Sequence, residues 1–420
     1  MTFDLAVEAV VHSLPKDWKV EEFRRHATLV EEVNTGRSMR LLSLASTGVV
    51  APRSEEGGMG RQIPSESTIE RYWITRPGNL VVNPMWLTGG GIGVSQTTGA
   101  VSPDYRVYKL GSELFPPFVH HLLRSQTYRD QYRLYTRAET TFDRRVSKQD
   151  FHPMPLVIPP IEEQYRIADF LDAETARIDR LASHMKAQDD LLALRRHSVM
   201  ARAWVPDCPS VRLGYFLLLV TSGPRGWGDY ASDDGNLFFR SANLRRDSIN
   251  PNLNSVVRVD PPEGAVTESV RSTVRRGDVL VGITGANTGW VAHADASVIG
   301  ANVSQHVCLL RPSPGAIHGT WLAYLISSPM VQKKLLGSQY GGTKTQLSLP
   351  DLRDLRVPLP SLEDQSDLYQ SIHSELAQIE GQRELRQRQI ALLAKRRQTL
   401  ITAAVTGQLD VTTARPTHHT

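Results

Sequence analysis

Leu156-Val-Ile-Pro-Pro-Ile-Glu-Glu-Gln164 and Val357-Pro-Leu-Pro-Ser-Leu-Glu-Asp-Gln365 are two copies of one pattern: an apolar run, a proline step and an acidic pair closed by glutamine. Placing Gln164 on Gln365 sets an offset of 201 residues, which also pairs Ile178 with Ile379 and Arg195-Arg196 with Arg396-Arg397. Upstream, Arg76-Pro-Gly-Asn-Leu-Val-Val82 resembles Arg275-Arg-Gly-Asp-Val-Leu-Val281. Val101-Ser102 falls opposite Val303-Ser304, and Leu122-Leu123 opposite Leu325-Ile326. The offset drifts by a few residues, as loop insertions produce. So long a period is not a solenoid repeat. It is a duplication that reads unit, helix, unit, helix.

The helices follow from spacing. After Pro159-Pro160 no Gly or Pro occurs through Arg202, and Leu171, Ile178, Met185, Leu192 and Val199 recur every seven residues. The second copy carries Leu368, Ile372, Leu376, Ile379, Ile390, Leu393 and Leu400 at spacings of three and four. These are coiled-coil seams. The prolines fix their starts, because Pro is tolerated only in or before a first helical turn. Matching seams within one chain predict an antiparallel pair about 60 Å long, against the plainer reading of a core hairpin or a dimerising coiled coil. Arg383 and Arg386 interrupt the second seam and predict looser pairing there. The globular units read as mixed α/β. Strand-like runs Asn79–Val82 and Asp278–Val281 follow glycine turns, and one helical stretch stands out in each unit, Phe115–Tyr135 and Thr320–Leu336.

A chain of 420 residues is expected to form more than one domain. Lys and Arg total 48 against 44 Asp and Glu, a slight basic excess of the kind nucleic-acid binders carry. Two cysteines, Cys208 and Cys308, form neither a metal spacing nor a disulfide framework and suit a reducing cytosol. No membrane-length apolar run or signal peptide is read, so the expected localisation is cytoplasmic.

Each motif suggestive of catalysis lacks a part that the chemistry needs. Asn83-Pro-Met-Trp86 is similar to the Asn/Asp-Pro-Pro-aromatic loop of amino-methyltransferases, but Gly89-Gly-Gly-Ile-Gly93 follows directly, leaving no room for a strand–turn–helix cofactor unit. The structural reading of this loop is preferred. Pro103-Asp104 and Pro350-Asp351 lack the acid–any–Lys partner of a nuclease. His120-His121 and His418-His419 form no metal constellation. Gly341-Gly-Thr-Lys-Thr345 lacks the spacing of a phosphate loop. No catalytic, cofactor or metal residue is assigned.

The paired pattern resembles the specificity (HsdS-type) subunits of type I restriction–modification systems over essentially the whole chain. It is carried by Pro159–Gln164, Pro360–Gln365, the close Leu400-Ile-Thr-Ala-Ala-Val-Thr-Gly-Gln-Leu-Asp410, Asn83–Leu87 with Gly90–Ser95, and Arg212–Gly214 with Thr221-Ser-Gly223. The first helix departs from it, ending Met200-Ala-Arg-Ala-Trp204 without a Thr-Gly element and leaving the turn into the second unit undefined. The resemblance implies an α/β (α+β) fold with two globular target-recognition domains separated by two long antiparallel coiled-coil helices. The expected segments are domain 1 (1–158), spacer helix 1 (159–204), domain 2 (205–358), spacer helix 2 (359–410) and a tail (411–420). It implies a non-catalytic subunit whose two domains each read one half of a bipartite asymmetric site in double-stranded DNA. Two methyltransferase subunits would dock on the helices, and restriction/translocase subunits would join that core. S-adenosylmethionine, ATP and Mg2+ would belong to those partners. The rival readings are an autonomous DNA-binding or scaffold protein, and an amino-methyltransferase using Asn83.

Basic residues beside tyrosines and polar loops are the candidates for DNA contact: Arg129, Arg133, Arg144 and Lys148 in the first unit, Lys333, Lys334 and Lys344 in the second. A second possible face holds Arg225, Arg240, Arg245 and Arg246, with Arg53 and Arg61 in the first unit. Spacer and docking candidates are Gln164, Leu171, Ile178, Met185 and Leu192 on one helix, and Gln365, Ile372, Ile379, Leu393 and Leu400 on the other. The basic ends Arg195-Arg196 and Lys395-Arg396-Arg397 suit helix C-termini and acidic partners.

Overall fold

A computed structural model of the chain describes residues 7, 14–53, 65–136, 145–260, 263–337 and 346–411. Its contacts divide into two units: Met1–Met185 with Arg388–Thr420, and Lys186–Gln387. The boundaries fall inside the two long helices, Ile161–Ala201 and Leu362–Val405, so each unit takes part of both.

The first unit is built on a four-stranded antiparallel sheet in the order Ala27–Val30, Arg106–Leu110, Leu80–Val82, Ile92–Val94. Tyr108 is the register point, facing Leu29 on one side and Leu80 on the other. Leu80, Val81 and Val82 are all fully buried, which explains a continuous apolar run where a half-exposed strand would alternate. Below the sheet Phe23 meets Tyr108 at 5.1 Å and Phe151 at 4.9 Å between ring centres, both edge-on. A second, two-stranded pairing joins Lys19–Glu22 to Pro155–Ile158 and delivers the chain to Pro159-Pro160 and the first long helix.

The second unit repeats this plan. Its four-stranded sheet runs Leu217–Ser222, Val307–Pro312, Val279–Gly282, Val291–His293, the same order of strands relative to sequence. Leu80 and Val279, aligned from sequence, occupy corresponding places beside the central strand. Ser210–Arg212 pairs with Arg356–Pro358 just before the second long helix. The unit adds a three-stranded sheet, with Ala231–Phe239 between Arg258–Val259 and Asn302–Val303.

The single helical stretch expected in each unit is two helices. Pro116–Arg124 and Gln126–Leu134 are broken at Ser125, and Gly319–Ser327 and Pro329–Gly337 at Ser328. Both serines are extended, with ψ of 160° and 148°. Pro329 explains the second break, since a residue before proline is pushed out of the helical region. In the first, Ser125 takes the position of an N-cap, its carbonyl accepting from Arg129 N.

The long helices lie antiparallel within each unit. In the first, Ile167, Ala168 and Leu171 share a core with Ile401, Ala404 and Val405. In the second, Leu192 and Val199 share one with Ile372 and Ile379. The predicted loosening at Arg383 is not what the structure shows. Arg383 reaches Asp189 through Nε at 3.1 Å and Nη2 at 3.3 Å, both side chains about four-fifths buried. Arg386 Nε donates to Gln188 Oε1 at 3.2 Å. The apolar seam gives way to a charge-paired layer, a device that fixes alignment where apolar side chains alone tolerate slippage.

The undefined turn after the first helix is also settled. Arg202, Ala203 and Trp204 amides fold back on Val199, Met200 and Ala201 carbonyls, tightening the last turn. The Trp204 ring then lies under the Lys334 ammonium, 4.0 Å from its centre.

Candidate nucleic-acid interface

The candidate cations separate into distinct environments. In the first unit, Arg129 and Arg133 project from the helix Gln126–Leu134. Arg129 is half-buried, its guanidinium approaching the turn at Gly90, and burial followed by Arg133 and Arg397 lowers its pKa. Arg133 is exposed and held at 2.5 Å by Asp130, one turn back on its own helix. Lys148 belongs to another neighbourhood. It is exposed, 3.5 Å from Glu31, at a cavity of about 460 Å3 that also meets Arg145, Trp73 and Tyr105. In the second unit Lys333 is exposed, whereas Lys334 stacks on Trp204 and approaches the Arg356 carbonyl at 3.4 Å. Lys334 therefore braces the junction after the first long helix. Arg144, Lys344 and Arg61 lie outside the described residues.

Arg124, part of the same basic stretch, is a structural pin. Its Nη1 donates to Gly90 O at 2.6 Å and Ile92 O at 3.0 Å, and its Nη2 to Ser46 O at 3.1 Å. Burial, with Arg129 and Arg397 nearby, pushes its pKa down to about 10, so it remains charged at neutral pH. Next to it His120 is pushed down to about 3, first by burial and then by His121 and Arg124. A neutral ring fits its contact, Nδ1 lying 3.4 Å from the Val94 amide. His121 is bound separately to Asp172 at 2.7 Å. Among the described residues no group of three or more His, Cys, Asp or Glu could hold a metal.

The glycine-rich loop is shaped by packing. A Cβ on Gly93 would fall 1.9 Å from the Gly48 carbonyl oxygen, and Gly90 sits at φ +89°. Asn83 Oδ1 accepts from the Met85 amide at 3.1 Å, closing a turn on itself. That turn leaves Trp86 59 % exposed, and the hairpin apex against the loop leaves Val49 54 % exposed. Neither is among the residues that the sequence offers for DNA contact. Composition and spacing do not show which apolar residues a tight turn forces outward.

The docking candidates divide by burial. Gln164 and Gln365 are fully buried and make corresponding brackets. Gln164 Oε1 accepts from Phe115 N at 2.8 Å, and its Nε2 donates to the Glu113 and Pro159 carbonyls, each at 2.9 Å. Gln365 Oε1 accepts from His318 N at 2.8 Å, and its Nε2 donates to Ala316 O at 3.0 Å and Pro360 O at 2.9 Å. Leu171, Ile178, Leu192, Ile372 and Ile379 are buried, and Met185, Leu393 and Leu400 half-buried, inside the chain's own packing. A partner on these helices meets other side chains. In the first unit Leu181 and Leu392 are 44 % and 65 % exposed. In the second, Leu191 and Leu194 are 63 % exposed and Leu385 60 %. Leu191 and Leu392 correspond under the 201-residue offset.

Comparison with known proteins places these duplicated brackets and sheets in context. Residues 262–391 match the family described as type I restriction modification DNA specificity domain. That match takes in part of the second unit and part of the second long helix. It is 23 % identical over 299 residues to the type I restriction enzyme EcoBI specificity subunit of Escherichia coli, an alignment spanning 63 % of this chain and 60 % of that relative. The fold is shared with a chain from a structural study of complex assembly and conformational transition in the type I R-M system, at TM-score 0.76 and 20 % identity, covering 94 % of this chain and 99 % of that one. It is shared less closely with the HsdS subunit from Thermoanaerobacter tengcongensis, at TM-score 0.55 and 20 % identity, covering 94 % and 98 %. The shared fold thus extends over both copies of the duplication, whereas the family match lies on the second. No helix among the described residues is long and apolar enough to cross a membrane.

Proposed function

We propose that this chain is the non-catalytic DNA-recognition subunit of a type I restriction–modification complex. Each globular portion reads one half of a bipartite, asymmetric site in double-stranded DNA. The observation that carries this is the repeated unit: two sheets of one strand order, each joined to a long helix by the same glutamine bracket. A protein built of two homologous but diverged readers recognises two different half-sites, because base contacts come from side chains that differ between copies.

Two methyltransferase subunits dock on the long helices. The support is the pair of exposed leucines at repeat-related positions, Leu191 and Leu392, one for each docked copy. Restriction/translocase subunits join that core. S-adenosylmethionine, ATP and Mg2+ are held by those partners, and the complex works in the cytoplasm.

The test is exchange of residues 15–150 for those of a relative with another target, followed by methylome sequencing. One half of the methylated motif changes and the other stays. A change in both halves, or in neither, overturns the assignment of one unit to one half-site.

A further inference from the structure

The two copies of the repeat hold one glycine turn by different side chains. The strands Leu80–Val82 and Val279–Gly282 each lead into a turn that closes at a glycine of positive φ, Gly90 at +89° and Gly289 at +84°. Each turn is met by the second short helix of its unit, entered through Ser125 or Ser328. Arg129 and Gln332 hold the same place in those helices, four residues past the serine. Their amides donate to the serine carbonyls at 3.1 and 2.9 Å.

In the second unit Gln332 is consumed by the fold. Its Nε2 donates to Gly289 O at 2.8 Å and to Ile326 O at 2.7 Å. In the first unit other side chains bond the equivalent carbonyls. Arg124 Nη1 donates to Gly90 O at 2.6 Å, and the Tyr132 hydroxyl to Leu123 O at 2.9 Å. Arg129 is thereby released from both tasks, and it makes no hydrogen bond or ion pair with any described residue. Its Nε is buried without a partner, whereas neither Nη nitrogen is buried. The guanidinium stays at the turn, since a Cβ on Gly90 would fall 3.0 Å from Nη2.

The charges around it are uneven. Asp130 is engaged by Arg133 and Asp179 by Arg397. Arg124 bonds backbone carbonyls and, among the described residues, no carboxylate. Arg124 and Arg129 are therefore the uncompensated cations of this corner. Trp86 stands on the same turn, and a Cβ on Gly91 would fall 2.9 Å from its Cβ. Its amide donates to Asn83 O at 3.0 Å, and its carbonyl accepts from the Gly89 and Gly91 amides at 3.1 and 2.7 Å. The ring is fixed at its root while most of the residue is exposed.

A guanidinium end held beside a fixed aromatic surface suits a base edge better than a phosphate, which needs only charge and carries no sequence information. Two parallel N–H donors call for two adjacent acceptors. Guanine alone among the bases offers such a pair in the major groove, at N7 and O6. An apolar ring beside those bonds keeps water from competing for them.

We propose that Arg129 reads a guanine in the half-site of the first unit, with Trp86 covering the contact. The inference rests on the recognition reading above. The second unit has no such reader at this place, because Gln332 holds its turn. The copies share a loop plan and differ in which side chain that plan leaves free.

The experiment uses the full chain assembled with its methyltransferase and a duplex carrying the motif found by methylome sequencing. Exchange of residues 15–150 marks the half read by the first unit. Each guanine of that half is replaced in turn by 7-deazaguanine, which lacks the N7 acceptor. The parent is expected to bind about tenfold more weakly at one of these positions. Arg129→Gln is expected to bind the unmodified duplex at least tenfold more weakly and to lose nothing further on that 7-deazaguanine duplex. Its methylated motif becomes degenerate at that position, with the other half and the salt slope unchanged. Trp86→Ala is expected to shrink the 7-deazaguanine penalty at that position alone.

If the assembled complex shows no sequence preference, the recognition reading fails and the guanine contact with it. If it binds its motif but no 7-deazaguanine in that half weakens the parent, the guanine contact alone is overturned, whatever the variants do. The same follows if Arg129→Gln still pays the 7-deazaguanine penalty. A salt slope lowered by about one unit with the motif intact would make Arg129 a phosphate contact and overturn it as well. Loss of methyltransferase from the Arg129→Gln complex in native mass spectrometry would make it a partner contact, with the same consequence.

Discussion

Replacing Gln365 with leucine removes a side chain that bonds three backbone groups at once. The Nε2 donations to Ala316 O and Pro360 O and the Oε1 acceptance from His318 N all disappear. Leucine is close in size, so the cavity term is small. The loss is hydrogen bonding in a fully buried site. Each bond contributes about 0.5–1.5 kcal/mol net, and a buried group left unpaired costs about 1–3 kcal/mol. The sum expected for Gln365→Leu is about 3 kcal/mol, roughly a hundredfold in the opening equilibrium. A chain of two units is not a two-state system, so one melting temperature is the wrong readout. Native-state hydrogen exchange resolves the units. The His318 amide, which loses its acceptor, and the amides of the helix Gly319–Ser327 should exchange about a hundredfold faster. Gln164→Leu should do the same to Phe115 and the helix Pro116–Arg124. Exchange within threefold of the parent in the affected helix would refute the bracket as the element that fixes each long helix to its unit.

Alanine at Arg129, Arg133, Lys148 or Lys333, in the assembled complex, should lower the salt slope of log K for DNA by about one unit each if the residue meets phosphate. Lys334→Ala should leave that slope alone and loosen the Trp204 junction by about 1 kcal/mol, read by urea unfolding of the second unit. Inserting one heptad in both long helices adds about 10 Å. Methylome sequencing should show the unread gap between half-sites lengthened by about three base pairs, with both half-sites unchanged. An unchanged gap in an active variant would show that the helices do not set it. Leu191→Glu and Leu392→Glu should each remove one docked methyltransferase in native mass spectrometry, and the double variant both.

The order of parts was legible in the amino-acid sequence. Local rules dictate it: prolines stop helices from starting earlier, a seven-residue apolar period builds a long helix, and glycine turns deliver short apolar strands. The offset between Gln164 and Gln365 was sufficient to align Leu80 with Val279, which occupy corresponding strands. What each residue does within that order was decided by tertiary structure. Lys334 and Lys333 are sequence neighbours of one chemistry, but Trp204, far off in sequence, lies under only the first of them. Gln164 reads as a surface helix residue until the loop at Glu113–Phe115 closes over it. Arg196 and Arg397 are the same residue in the same repeat, and among the described residues only Arg397 is ion-paired. Periodicity and turn chemistry act between residues a few positions apart, so sequence fixes them directly. The pairing and burial of a charge depend on atoms brought together from distant segments, and only the folded chain determines those.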